Sequence, residues 1–169
     1  YTGKIVTLEL HEVELTNGHR ARREVVKHPG AVAVLAVDES QRLILVEQFR
    51  KPLERIIFEI PAGKLEQGEA PLACAVRELK EETGYTAKRF THLASFYTSP
   101  GFADELIHLF WAEDLQPGEA QPDQDEFIKL HHVSLDEAWA MITDGRIMDA
   151  KTILAVYAWA NHLLQEKLK

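Results

Sequence analysis

The chain is expected to fold as an α/β protein, a sandwich on a mixed sheet with a small antiparallel β unit in front. Three observations predict this. Ala31 to Val37 is a near-continuous apolar run, as in a strand covered on both faces. Short strand-like segments recur between Asn-Gly, Pro-Gly and Pro-Ala-Gly breaks. Helical spacing appears between Pro71 and Gly84 and again over about 149–167.

From Lys4 to Thr16, Val6, Leu8 and Leu10 alternate, and the phase then shifts to Val13 and Leu15, which predicts a bulge or bend near His11–Glu12. Asn17-Gly18 signals a hairpin, and Ala21 to Lys27 returns as a strand. Residues 1–29 thus read as a β unit too thin to stand alone, and 30–169 as the main domain. After Ala31–Val37, Asp38 to Gln41 turns the chain into Leu43–Phe49, and Ile56–Ile60 follows, ending at Pro61-Ala62-Gly63. Pro71 suits the first turn of the next helix, where its missing N–H is harmless, and Gly84 is placed to end it. Strands are expected at about 88–97 and 105–112, split by Ser99-Pro100-Gly101, with another from Phe127 to Val133. Ser134 with Glu137 forms a capping box that opens a helix to about Thr143, and Asp144-Gly145 closes it. Ile153, Val156, Tyr157, Ala160, Leu163 and Leu164 mark the last helix.

With 169 residues the chain can build one sizeable core. Lysine and arginine number 19 against 27 acids, a net charge of −8 that argues against a nucleic-acid backbone as partner. No apolar run approaches the roughly 20 residues that span a bilayer, so no membrane partner is expected. No charged-then-apolar leader reads at the start, and Cys74 is the lone cysteine, so a reducing, cytoplasmic setting is expected.

The chemistry concentrates in residues 63–85, GKLEQGEAPLACAVRELKEETGY. A helix turns about 100° per residue, so Glu78 and Glu82 lie about 40° apart on one face, flanked by Glu81. Leu72, Ala75, Val76 and Leu79 form another face that can enter a core. Acids on a helix are usually a solvated face. Three crowded together repel, however, and a hard divalent cation with oxygen ligands would compensate them.

Gly63, then Glu69, then Arg77-Glu78-Leu79-Lys80-Glu81-Glu82-Thr83-Gly84-Tyr85 resembles the Nudix box, with Tyr85 where an aliphatic residue is preferred. The surrounding strand order is similar to the Nudix fold, an α/β/α sandwich with a mixed sheet, over about 30–145. The resemblance implies a Mg²⁺-dependent hydrolase of nucleoside diphosphates, with Mn²⁺ able to substitute. Glu78 and Glu82 would be metal ligands, with the Ala62 carbonyl a third. Glu81 would be a ligand through water, or a base. Arg77 would anchor the box loop through Glu69.

Pro100, 16 residues after Gly84, resembles the ADP-ribose pyrophosphatase branch, as do His28-Pro29-Gly30, Glu47-Gln48-Phe49-Arg50 and Asp125-Glu126-Phe127-Ile128. That branch implies hydrolysis of ADP-ribose to AMP and ribose 5-phosphate by a homodimer that exchanges the N-terminal unit. Arg50 would then contact the pyrophosphate, Ser99 and Gly101 would line the terminal ribose, and Glu105 would lie near the metals. Ile5, Arg22 and Glu24 of a partner copy would hold the adenosine. Glu126 is the expected catalytic base, with Asp123 and Asp125 its competitors. Rival readings are another nucleoside diphosphate, such as a nucleotide sugar or dinucleoside polyphosphate, and a non-catalytic ADP-ribose sensor. The complete set of box acids disfavours the sensor.

Overall fold

The computed structural model describes residues 1–120 and 128–168. Strands β1 (Thr7–Glu14) and β2 (Arg20–Lys27) pair antiparallel from Thr7 opposite Lys27 to Glu14 opposite Arg20. This ladder is unbroken, so the bulge expected at His11–Glu12 is absent. Leu8 and Leu10 are exposed instead, while Thr7, Glu9 and Val13 are half-buried. A two-stranded ribbon without a full core face does not impose one phase on its side chains. The Gly18 N–H donates to the Leu15 carbonyl and the Leu15 N–H to that of His19, both at 2.8 Å. The loop is therefore three residues, Thr16 to Gly18, rather than a two-residue Asn-Gly turn.

The body comprises β3 (Ala31–Ala36), β4 (Leu43–Arg50), β5 (Arg55–Glu59), β6 (Ala62–Lys64), α1 (Pro71–Thr83), β7 (Thr86–Tyr97), β8 (Leu106–Gln116), β9 (Lys129–Val133), α2 (Leu135–Thr143) and α3 (Ala150–Lys167). One sheet runs β6-β3-β8-β7, with β3 and β8 parallel and the other pairs antiparallel. The second runs β5-β4-β9, all antiparallel. The short β6 falls where the sequence suggested only a strand end, because Ala62 to Lys64 pair with Ala33 to Ala31. Strand β8 also runs past its expected end at residue 112. Glu113 accepts a bidentate pair from Arg89 at 2.8 Å for both bonds, so a polar stretch is held in the ladder by its cross-strand partner.

Every residue of β3 is buried, and successive side chains point to opposite faces. Ala33 and Leu35 enter one core with Leu45, Met141, Val156 and Trp159, on the side of α2 and α3. Val32, Val34 and Ala36 enter the other with Cys74, Ala75, Leu79 and Phe110, on the side of α1. The result is the expected α/β/α sandwich. Among the described residues no helix is long and apolar enough to cross a membrane.

Caps fix the helix ends. Ser134 accepts from the Glu137 N–H while Glu137 accepts from the Ser134 N–H, completing the capping box of α2. Asp149 caps α3 through the Thr152 N–H. Gly84 ends α1 at φ 75°, its N–H donating to Lys80. A Cβ there would lie 2.6 Å from the Ala120 nitrogen and 2.7 Å from the Gly118 carbonyl oxygen. Both are backbone atoms and cannot swing aside. Gly84→Ala should therefore cost roughly 2–4 kcal/mol in urea unfolding, from the left-handed backbone and the overlap together. A loss below about 1 kcal/mol would show that this approach imposes no constraint.

Candidate active site

Helix α1 docks through an arc from Cys74 through Ala75, Glu82 and Leu79 to Thr83, all buried. Leu72 and Val76, expected in the core face, are exposed at 49% and 44%. The helix is rolled so that Glu82 takes a core-facing place, only 4% exposed. Burying a carboxylate is tolerable only with partners. The Ala62 N–H donates to Glu82 Oε2 at 3.0 Å, joining the helix to β6. Glu78 lies over Gly63, where an added Cβ would fall 1.9 Å from the carboxyl carbon. A larger residue there would displace the Glu78 carboxylate from its place beside Arg77.

Arg77 gathers the neighbouring acids. Its Nε and Nη2 donate to Glu69 at 3.0 and 2.9 Å, and its Nη1 to Glu78 at 2.7 Å and Glu81 at 3.0 Å. Glu69 also accepts the Glu66 N–H at 3.0 Å, closing the box loop. Hydrogen bonding by Arg77 outweighs burial and holds the Glu69 carboxyl down at about 2. The same bond to Glu69, reinforced by Glu78 and Glu81, raises the Arg77 guanidinium further. Burial pushes the Cys74 thiol up to about 12, so it stays protonated and inert at neutral pH.

Glu78, Glu81, Glu82 and Ala62 line one cleft, and oxygen donors of this kind would suit a hard divalent cation if they converged on it. Among the described residues no three His, Cys, Asp or Glu side chains are arranged to hold a metal ion. In this geometry Glu78 and Glu81 are turned onto Arg77, and Glu82 onto the Ala62 N–H.

These groups form one wall of a cleft of about 1060 Å³ that also takes in Ile5, Arg50, Ser99 and Glu105. Ile5 here is the chain's own residue. Gly101, Arg22 and Glu24 do not line it. Glu126, with Asp123 and Asp125, lies outside the described residues. Glu105 accepts the Thr98 hydroxyl at 2.5 Å and lies 3.6 Å from His28 Nε2. Strand β2 is tied to this loop by the Val26 N–H donating to Phe102 and by the Lys27–Asp104 ion pair. His131 and His132 turn apart, to Glu47 and Asp38, so they do not share a ligand.

Sequence reasoning missed His28, Gln48, Glu59, Asp149 and Lys151, although all but Glu59 line the cleft and Glu59 bonds to Arg50 and Lys151. A carboxylate between Phe58 and Ile60 in an apolar strand was a usable signal. Lys151 gave none, since a lysine in a helix's first turn is ordinarily solvated.

Because Glu69 is held below its ordinary 4.5, the stability of the Glu69–Arg77 pair is complete above that pH and is lost as pH falls toward about 2. Glu69→Gln should destabilise by roughly 2 kcal/mol at neutral pH. The deficit, read from thermal melts, should narrow steadily below pH 4.5. A gap unchanged with pH would mean the pair's charge contributes nothing.

The NUDIX domain family matches residues 27–156. The chain is 54% identical over 158 residues to the ADP-ribose pyrophosphatase of Bacillus subtilis (strain 168), spanning 92% of this chain and 85% of that protein. It is 52% identical over 171 positions to the methanol dehydrogenase activator of Bacillus methanolicus, spanning 100% and 91%. A crystal structure of an ADP compounds hydrolase superposes with a TM-score of 0.85 at 23% identity, over 99% of this chain and 90% of that one, a likeness of fold. With its box acids gathered on one wall of a cleft and the family matched over most of its length, this chain belongs to the Nudix family.

Proposed function

We propose that the chain hydrolyses ADP-ribose to AMP and ribose 5-phosphate with a divalent cation, Mg²⁺ by preference and Mn²⁺ as a substitute. The observation that carries this reading is one cleft, large enough for a nucleoside diphosphate, lined by Glu78, Glu81, Glu82, Ala62 and Arg50 together. The 54% identity to an ADP-ribose pyrophosphatase supports the choice of substrate. Glu78, Glu82 and the Ala62 carbonyl would hold the cation, with Glu81 a further ligand or a base. A divalent ion there neutralises diphosphate charge and acidifies an attacking water. Arg77 keeps the loop closed on Glu69, Arg50 would meet the diphosphate, Ser99 and Gly101 would line the terminal ribose, and Glu105 would lie near the metals. Glu126 is the proposed base.

Residues 1–29 and 30–169 are proposed as the two structural units, the first exchanged in a homodimer. Exposed Ile5, Leu8 and Leu10, at 51%, 40% and 70%, support a second copy covering the hairpin. Light scattering should return the mass of two chains. An active monomer would remove Ile5, Arg22 and Glu24 of a partner from the adenosine site.

Glu82→Gln should lower kcat for ADP-ribose by about 10³-fold or more at saturating Mg²⁺ while circular dichroism stays native. Undiminished turnover would remove Glu82 from the ligand set. In ¹⁸O-labelled water the product that carries the label names both substrate and point of attack. A higher kcat/KM for a nucleotide sugar would displace ADP-ribose as the substrate.

A further inference from the structure

In the same cleft, a connected set of charges joins β4, β5 and the start of α3. Glu59 ends β5 and is 2% exposed. It accepts Arg50 Nε at 2.6 Å and Nη2 at 2.8 Å, a side-on bidentate pair. Lys151 Nζ donates to Glu59 at 2.5 Å and lies 2.9 Å from Asp149 Oδ1. Thr152 donates its hydroxyl to Asp149 at 2.5 Å and accepts the Ile60 N–H at 2.9 Å. The cap of the last helix and the residue after β5 thus belong to one network.

Strand register explains why Arg50 and Glu59 meet. Val46 lies opposite Glu59, and Arg50 is four residues further along the same strand, so all three share a face. Arg50 reaches back along that face to Glu59. Its side chain is 41% exposed while that of Glu59 is 3% exposed, so the pair has one wet end and one dry end. A guanidinium has five N–H donors, and two are spent on Glu59. The Nη1 edge is left for the cleft that Arg50 lines. A long side chain pinned in this way has little rotamer freedom left to lose when an anion binds.

Two cations flank the buried carboxylate, which is what such a group needs to remain charged. Burial drives the Glu59 carboxyl up, yet Arg50 and Lys151 together outweigh it and hold it below the ordinary range.

We infer that Glu59 is the positioning residue that aims Arg50 at the substrate diphosphate, with Lys151 and Asp149 holding Glu59 in place from the start of α3. This rests on the reading of the cleft as a diphosphatase site. Were the network only a fastening between α3 and the sheet, its loss would lower the melting temperature and leave the kinetics of the folded protein alone.

The test is a double-mutant cycle on kcat/KM for ADP-ribose with Arg50→Ala and Glu59→Gln, on protein shown folded by circular dichroism. Glu59→Gln alone should lose about 10- to 100-fold, chiefly in KM, and about twofold or less once Arg50 is alanine. Equal losses in both backgrounds, or wild-type kinetics in Glu59→Gln, would overturn the inference. If Glu59→Gln does not fold, Lys151→Met in the same cycle decides by the same criterion. If the wild type hydrolyses no nucleoside diphosphate, the functional reading fails separately, and calorimetry with inorganic pyrophosphate takes over. Tighter binding by wild type than by Glu59→Gln supports the positioning role. Equal affinity, or none in either, overturns it.

Discussion

Arg77 is bonded to Glu69, Glu78 and Glu81 at once, and the arrangement of the box acids depends on that shared guanidinium. One positive charge cannot balance three carboxylates, and Glu82, turned inward beside them, makes a fourth. A cluster so lopsided survives only because its partners are fixed by structure. The box loop is closed on Glu69, Glu78 has the space over Gly63, and Glu82 is held by the Ala62 N–H. The excess of carboxylates over cations among these named residues is the physical argument for a divalent cation when an anionic diphosphate is to enter.

The neighbouring network in the cleft is balanced differently. Arg50 and Lys151 face Glu59 and Asp149, two charges of each sign, with Glu59 and Lys151 buried. On the proposed reading a cation from solution would serve the box acids, while Arg50 and Lys151 are the second network's own cations. A diphosphate bridging them would meet positive charge at both ends. That asymmetry suits an ester of two phosphates better than a neutral or singly charged ligand.

Much of this was legible in the sequence. The apolar run at Ala31 to Ala36, the Ser134–Glu137 capping box and the Pro71 to Gly84 helix are local patterns, and each appears where its pattern places it. What failed was tertiary. The roll of α1 exposes Leu72 and Val76 and buries Glu82, a carboxylate whose burial no hydrophobic periodicity can register. The extension of β8 depends on Arg89, which lies 24 residues from Glu113 in sequence. The Glu59–Lys151 contact spans 92 residues, so neither member announces the other. The phase change in the first strand marks no break in the ladder, because alternation reports a core face and the β1–β2 ribbon packs against none of its own.

Strand β3 has a consequence for how this chain can change over generations. Its odd residues fill one core and its even residues the other, with no solvent-facing position between. Adding or deleting one residue within it would exchange the contents of two cores of different shape, and no local adjustment could absorb the swap. Length variation among descendants of such a chain must therefore gather elsewhere, in turns such as Thr16 to Gly18, while the central strand can drift in sequence but not in length.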